Sequence, residues 1–308
     1  MFPQKGSAVI ISASRRTDIP AFYADWFMNR IRAGYCEVVN PYNRSQRSRI
    51  PLEAAAVDAI VFWTRHPRPL LRHLDELDRC GYRYYFLYTL LDYPATLDPG
   101  LPPIETRVET FRALADRIGP ARVIWRYDPI VFTAATDAAF HREAFDRLAG
   151  RLAGATRRCI ISLLDIYRKT QRRLDELEAT PFRVHEPTPG MLADSLPAMA
   201  RAAKQHGMAI ASCASRIDLS SCGIGPGRCI DDAWLRLAFS LEVPSQKDPR
   251  QRPACRCVAS RDIGAYDTCL FGCQYCYATT SVERARANHA RHDPSLPWLL
   301  PPGDPQTP

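Results

Sequence analysis

Short runs of apolar and β-branched residues alternate with longer amphipathic segments along positions 8–212. Seven of these runs predict strands, at 8–12, 36–40, 59–64, 83–90, 122–127, 159–164 and 208–212. The segments between them have helical periodicity, and several end in a glycine that suits a helix C-terminus. A strand–helix–strand order that recurs about every 25–45 residues predicts parallel βαβ units.

The predicted strands are apolar on both faces, as parallel strands are when helices or a closed barrel cover them. We therefore predict an α/β fold with a (β/α) TIM-like barrel, full or partial, and an open doubly wound sheet as the alternative. The barrel body would span 1–212. A cysteine-rich segment would follow at 213–292 and complete a permuted barrel, and a mobile proline-rich tail would occupy 293–308.

Polar residues follow the predicted strands, at the end where barrel enzymes carry their reacting groups. We expect these residues to bind a substrate or a cofactor, and the arginines suit a carboxylate or phosphate. The candidates are Arg15, Arg16, Asp18, Asn40, Thr64, Arg126 and Asp128. The alternative is that Asp18 and Asp128 cap helices or turns while the arginines pair with them.

The formal charge of +8 changes this picture little. The basic residues are 37 Arg and 4 Lys, and Asp and Glu are interleaved with them. A small-molecule substrate is therefore favoured over nucleic acid, which stays an alternative partner. No apolar run approaches the ~18 residues of a membrane span, and the first residues lack the features of an export signal. We expect a cytoplasmic protein without membrane contact.

Cysteine is concentrated near the C-terminus, where eight of the 11 lie between positions 213 and 276. Disulfides are not maintained in a reducing cytosol, so this density points to metal. Cys269, Cys273 and Cys276 form a CX3CX2C motif, and three thiolates so close together can hold three irons of a cubane and leave the fourth open. Zinc is the alternative, but zinc ribbons favour paired CX2C arms, whereas one CX2C is present.

This spacing, with an aromatic before the third cysteine and Tyr-Ala after it, resembles the motif of radical S-adenosylmethionine enzymes. The resemblance implies that Cys269, Cys273 and Cys276 hold a [4Fe–4S] cluster whose open iron binds S-adenosylmethionine. It also implies that Tyr275 lies against the adenine and that an electron from a donor such as flavodoxin or ferredoxin generates a 5′-deoxyadenosyl radical.

Four longer motifs together resemble the family called domain of unknown function 1848. They are SASRRTDIPAFY near the N-terminus, NPYN at 40–43, RYDPI at 126–130 and RDIGAYDTCLFGCQYCYA at 261–278. The cysteine motif comes late in the chain, whereas radical enzymes of the common type carry it after the first strand. We therefore expect a circular permutation in which 261–266 forms a strand beside 8–12 and 281–292 forms the helix after the cluster loop.

A second set of cysteines raises a separate expectation. Cys213, Cys229, Cys255 and Cys257 offer four thiolates, enough to close an auxiliary iron–sulfur cluster or a zinc site without an open position. Cys222 is the spare.

Two rivals to the radical enzyme stay open on these residues. The first is a metal-stabilised binding protein, with nucleic acid as one partner, whose clusters are only structural. The second is a zinc-dependent hydrolase on a TIM-like barrel, which would need His or carboxylate ligands at strand ends that the sequence does not offer.

Overall fold

The computed structural model describes residues 9–41 and 43–301 and has an α/β fold. Its strands are β1 (Val9–Ala13), β2 (Tyr35–Asn40), β3 (Asn43–Pro51), β4 (Val57–Thr64), β5 (Tyr84–Thr89), β6 (Val123–Ile130), β7 (Arg158–Leu163), β8 (Ala209–Cys213), β9 (Gly225–Gly227) and β10 (Arg261–Asp262). Its helices are α1 (Ile19–Phe22), α2 (Ala24–Ala33), α3 (Arg68–Leu71), α4 (Leu74–Arg79), α5 (Ile104–Ile118), α6 (Ala138–Leu152), α7 (Arg168–Asp175), α8 (Pro189–Gln205), α9 (Asp232–Phe239) and α10 (Val282–Ala290).

The chain divides into two compact units. The first takes in the described residues up to Tyr85, together with Ser260–Leu270 and the stretch from Ala278 onward. The second takes in Phe86–Ala259 and Phe271–Tyr277. The chain returns to the first unit after residue 259, and the predicted division at 212 into a barrel body and a cysteine-rich segment stays a prediction.

In the first unit, β1 lies between β10 and β4, and both neighbours run parallel to it. Ile11 pairs with Arg261, and Ser12 pairs with Asp262. The expected adjacency to 8–12 is therefore confirmed at Arg261 and Asp262, although the strand has two residues instead of the six predicted over 261–266. The apolar run that predicted β1 is buried from Ile10 to Ala13, since it has a parallel neighbour on each side.

The predicted strand at 36–40 forms, but it does not join the parallel strands. It is β2, which pairs antiparallel with β3 in a separate two-stranded sheet. The sequence did not predict β3, because its residues are mostly polar and exposed and lack the alternation of a half-buried strand.

The predicted mobile tail is ordered as far as the structure describes it, through residue 301. Glu37 donates its backbone N–H to the carbonyl of Pro297 at 2.8 Å. Trp26 donates its indole N–H to Leu296 O at 3.1 Å, and Arg30 donates to Ser295 O at 2.8 Å. The proline-rich composition predicted mobility, but buried side chains of α2 use the tail's carbonyls as acceptors and so fix it. The rest of the predicted tail, 302–308, lies outside the described residues.

The second unit carries the remaining parallel strands, in the order β5, β6, β7, β8, β9. The helices pack on these strands, α5 against β6 and α8 against β8. Trp125 of β6 stacks on Phe145 of α6, with ring centroids 4.6 Å apart. The runs that predicted β5 to β8 are confirmed as parallel strands, whereas the three-residue β9 gave no hydrophobic signal.

None of the helices within 9–41 and 43–301 is long and apolar enough to cross a membrane.

His141 of α6 is buried against β6 in the second unit. The ring of His141 is 3.1 Å from Val131 O and 2.9 Å from the Tyr127 hydroxyl. Burial disfavours the imidazolium and lowers the pKa of His141 to about 4 from an ordinary value near 6.5. The folded state therefore holds the neutral ring over a pH range in which the unfolded chain is protonated.

We predict that His141 contributes a loss of up to roughly 3 kcal/mol to the free energy of unfolding as the pH drops from about 6.5 to about 4, because the unfolded chain takes up a proton at His141 first. Buried Asp18 acts in the opposite direction over the same range, so the contribution is measured as the difference between the pH slopes of wild type and His141→Gln in chemical denaturation. The control is His185→Gln, which replaces an exposed imidazole. An unchanged slope in His141→Gln would contradict this assignment.

Candidate functional site

Asp262 organises the strand ends of the first unit. Its carboxylate accepts hydrogen bonds from the hydroxyls of Ser12 and Ser14, each at 2.8 Å, and from the backbone N–H of Arg15 at 2.7 Å. Gly264 N–H adds a fourth bond at 3.1 Å. The loop after β1 is therefore fastened to the segment that leads into the cysteine motif.

Asp18 is fully buried and joins the ends of two strands. One carboxylate oxygen caps α1 by accepting from Ala21 N–H at 3.0 Å, and the other accepts from Arg65 N–H at 2.6 Å. Thr64 adds a side-chain hydrogen bond. Burial nevertheless raises the pKa of Asp18 to about 6. Asp18 therefore acts as a helix cap, which was the alternative interpretation of the sequence. Thr64, at the end of β4, hydrogen-bonds to the same carboxylate.

The two arginines after β1 also contact their own unit. The guanidinium of Arg15 lies 5.0 Å from the Trp63 ring and donates to Ser260 Oγ at 3.1 Å. The guanidinium of Arg16 lies 5.3 Å from the Tyr266 ring. Both guanidinium groups contact an aromatic ring and are partly exposed at the strand end. Their role in ligand binding stays a prediction.

Asn40 lies elsewhere than the sequence predicted. It ends β2 opposite Asn43 in the antiparallel hairpin, and its amide donates to Gln46 Oε1 at 2.8 Å. Because β2 is not a strand of the parallel sheet, Asn40 is not at a parallel strand end. The predicted role of Asn40 beside Arg15 and Asp18 stays a prediction.

Cys269 is the part of the cysteine motif that belongs to the first unit. It is half-buried and follows Thr268, whose carbonyl accepts from the Tyr23 hydroxyl at 2.8 Å. Burial, and then the nearby Cys269, raise the pKa of Tyr23 above its usual range. Tyr23 is therefore a neutral donor that holds the backbone next to Cys269.

The rest of the motif, Phe271–Tyr277, belongs to the second unit and forms a tightly held loop. Gln274 N–H donates to Leu97 O, and Gly100 N–H donates to Phe271 O, each at 3.0 Å. Gly272 has φ +71°, a left-handed conformation that favours glycine. Cys276 N–H closes a turn onto Cys273 O at 3.1 Å.

Tyr275 fixes this loop from the interior. It is 6% exposed, and its hydroxyl lies 2.7 and 2.9 Å from the two carboxylate oxygens of Asp98. Its ring meets Tyr93 edge-on at 5.9 Å. These contacts give Tyr275 a role in anchoring the loop, and packing against an adenine stays a prediction.

Arg173 of α7 reaches the same loop and was not predicted from the sequence. It is buried, and one of its terminal N–H groups donates to the carbonyl of Cys276. Its Nε and Nη1 have no hydrogen-bond partner among the described residues. A buried cation with free N–H groups is costly unless an anion lies within reach.

Arg126 and Asp128 lie together at the end of β6. The two side chains form an ion pair, and Ser162 of β7 donates its hydroxyl to the same carboxylate. At the end of β7, Asp165 pairs with Arg252 and lies 3.5 Å from Arg216. Arg126 and Asp128 therefore pair with each other, which was the alternative to ligand binding that the sequence left open.

The cysteines outside the motif come together within the second unit. We call Cys213, Cys229, Cys255 and Cys257 the four-thiol group. The Sγ atoms of Cys213 and Cys229 are 3.2 Å apart, and Cys257 makes side-chain hydrogen bonds with Cys213, Cys229 and Cys255. All four side chains are buried, and none of the described cysteines is in a disulfide.

Mutual contact and burial raise the pKa of Cys213, Cys229 and Cys255. Hydrogen bonds from Cys213 and Cys257, together with burial, raise the pKa of Cys229 well above its usual range. For Cys213 the bond with Cys229 favours the thiolate, but Cys257 and burial outweigh it and raise its pKa to about 12. Within 9–41 and 43–301, no group of three or more His, Cys, Asp or Glu is arranged to hold a metal ion.

The sequence did not predict four residues that make important contacts at these sites, namely Asp98, Arg173, Arg252 and Asp262. Asp262 and Arg252 had a local signal, since each lies within a few residues of a cysteine or a motif already singled out. Asp98 and Arg173 had none, because they reach the motif from 177 and 103 residues away.

The fold and these strand-end residues define an α/β protein with parallel strands, flanking helices and two groups of cysteines. Its sequence matches the family described as domain of unknown function (DUF1848) over residues 10–278. Because this match covers most of the chain, the protein belongs to that family. No curated protein matches the chain.

We predict that Gly100→Ala displaces the motif loop, because a Cβ at this position would lie 2.4 Å from Phe271 O. Such overpacking should lower the free energy of unfolding by about 1–3 kcal/mol, as chemical denaturation would show. Gly225→Ala is the control, since nothing lies within 4 Å of the added Cβ, and it should change stability by less than about 0.5 kcal/mol. Equal effects of the two variants would contradict the close approach at Gly100.

Proposed function

We propose that this protein is a cytoplasmic iron–sulfur enzyme of the radical S-adenosylmethionine type, with a (β/α) barrel, acting on a small-molecule substrate. Cys269, Cys273 and Cys276 would bind a [4Fe–4S] cluster. When bound and reduced by a flavodoxin or ferredoxin, such a cluster cleaves S-adenosylmethionine and supplies a 5′-deoxyadenosyl radical. The CX3CX2C spacing, on a loop held by buried contacts, is the observation that carries this proposal.

The donor set fits a cluster with one open iron. Three thiolates within eight positions match the ligands that a cubane takes from a short loop. Cys273 is buried, which suits a cluster shielded from water, whereas Cys269 and Cys276 are half-buried. Partial exposure at both ends of the motif leaves room for a ligand to reach the cluster.

Arg173 supplies the charge that such a group needs. A cubane with three thiolate ligands is negatively charged, and S-adenosylmethionine adds a carboxylate. The buried guanidinium already donates to Cys276 O and has two further N–H groups without a partner in the described chain. Arg173 therefore suits the stabilisation of negative charge beside Cys276, as a positioning residue.

The ion pair of Arg126 and Asp128 suits the binding of a polar substrate at the end of β6. Ser162 and Arg126 hold the Asp128 carboxylate in place, so its orientation is fixed before a ligand arrives. A substrate carboxylate or phosphate would compete with Asp128 for the planar guanidinium of Arg126. This competition would favour anionic groups that bind in a bidentate manner.

We expect that Cys276→Ala abolishes the production of 5′-deoxyadenosine from S-adenosylmethionine, because the cluster loses one of its three protein ligands. The measurement is anaerobic reconstitution with iron and sulfide, reduction, and chromatographic assay of 5′-deoxyadenosine. Cys222→Ala is the matched control, since Cys222 lies outside both cysteine groups, and it should keep wild-type yield. Wild-type yield from Cys276→Ala would disprove the radical mechanism.

A second expectation concerns Arg173. Arg173→Gln should shift the reduction potential of the reconstituted cluster negative, on the order of 100 mV, because a nearby positive charge favours the more negative reduced state. Arg173→Lys should restore part of the shift by retaining the charge. Arg172→Gln, on the same helix but almost fully exposed, is the control. Identical potentials in Arg173→Gln and Arg172→Gln would exclude this role for Arg173.

A further inference from the structure

The four-thiol group lies where the second unit has least regular structure. Cys213 ends β8 and Cys229 follows β9, whereas Cys255 and Cys257 belong to the irregular segment 240–260. Few backbone hydrogen bonds hold that segment. Asp248 N–H donates to Cys257 O at 2.9 Å, and Val258 N–H donates to Ile230 O at 3.1 Å.

Packing alone does not account for four thiols in one place. A single buried cysteine is an ordinary small apolar residue, as Cys36 and Cys159 are in their strands. A thiol is a weak hydrogen-bond donor and acceptor, so mutual contacts among the four stabilise the irregular segment very little. The convergence of thiols from three segments is instead typical of metal ligation.

We propose that the four-thiol group binds one zinc ion in a tetrahedral structural site, which fastens segment 240–260 to the end of β8. The site would have four protein ligands and no open position. It is independent of the chemistry proposed for the CX3CX2C motif.

The distances favour one ion over a cluster. Thiolates at about 2.3 Å from a tetrahedral zinc are about 3.8 Å from one another. The Sγ atoms of Cys213 and Cys229, at 3.2 Å, need to separate by only about 0.6 Å to meet that geometry. A cubane needs a larger separation, because several irons and sulfides lie between its ligands. Zinc binding would release the thiol protons, so all four sulfurs become thiolates.

The surroundings suit a site with net negative charge. Ile230 donates its backbone N–H to Cys257 Sγ at 3.4 Å, the kind of bond that supports metal-bound thiolates. The guanidinium of Arg126 lies close enough to favour the thiolates of Cys213 and Cys229. Both contacts would strengthen when zinc replaces the thiol protons.

The test measures zinc and iron in the full chain with Cys269, Cys273 and Cys276 replaced by alanine, so that the motif contributes no ligands. We expect one zinc per chain and no iron. Adding Cys229→Ser should lower bound zinc at least tenfold, whereas adding Cys222→Ser should leave it at one per chain. Iron and sulfide in place of zinc, or no metal, would overturn the proposal.

A second measurement uses the wild-type chain in case the variants fail to fold. Iodoacetamide should modify Cys222 at once, but it should modify Cys213, Cys229, Cys255 and Cys257 only after a zinc chelator is added, as mass spectrometry of peptides would show. Equal labelling of the four-thiol group with and without chelator would overturn the proposal. So would a disulfide between Cys213 and Cys229. Because neither measurement depends on S-adenosylmethionine, its result is separate from the test of the radical mechanism.

Discussion

The bonds that Asp262 accepts are the contacts on which the arrangement of the first unit depends. A half-buried carboxylate at the end of two strands needs hydrogen-bond donors around it, and here Ser12, Ser14 and the backbone of Arg15 supply them from the end of β1. This set of bonds brings a segment from late in the chain beside the first strand. It therefore explains how a cysteine motif near the C-terminus comes to follow a strand that neighbours β1.

In the second unit, internal hydrogen bonds and close packing likewise hold the motif loop. Tyr275 can be buried because Asp98 accepts the hydrogen bond from its hydroxyl, and the chain can approach Phe271 closely because Gly100 has no Cβ. Each of these contacts is made within the second unit. Arg173 is different, since the Nε and Nη1 groups of its guanidinium have no hydrogen-bond partner among the described residues. Among the described residues, Arg173 is therefore a buried cation beside this loop whose remaining N–H groups suit an anion.

Hydrophobic runs predicted the parallel strands because burial on both faces demands apolar residues at successive positions, as β5 shows throughout. The same reasoning could not find β3, which has polar, exposed residues, or assign β2 to a hairpin, since pairing partners are not encoded in the periodicity of one strand. Cysteine spacing identified the motif because its ligands are local. Asp98 and Arg173 depend on tertiary packing, so no local pattern could reveal them.

The two groups of cysteines differ in a way that bears on chemistry. The motif cysteines at 269 and 276 are half-buried, whereas the four-thiol group is buried and closed by mutual sulfur contacts. A reactive metal centre needs an approach for its substrate, and a structural centre needs none because its ligands already fill the coordination sphere. This difference in exposure agrees with the two roles that we propose, a chemical one for the motif and a structural one for the four-thiol group. Arg126 lies near the buried group and also pairs with Asp128 at the end of β6, so the closed centre would help fix the position of a residue that suits substrate binding.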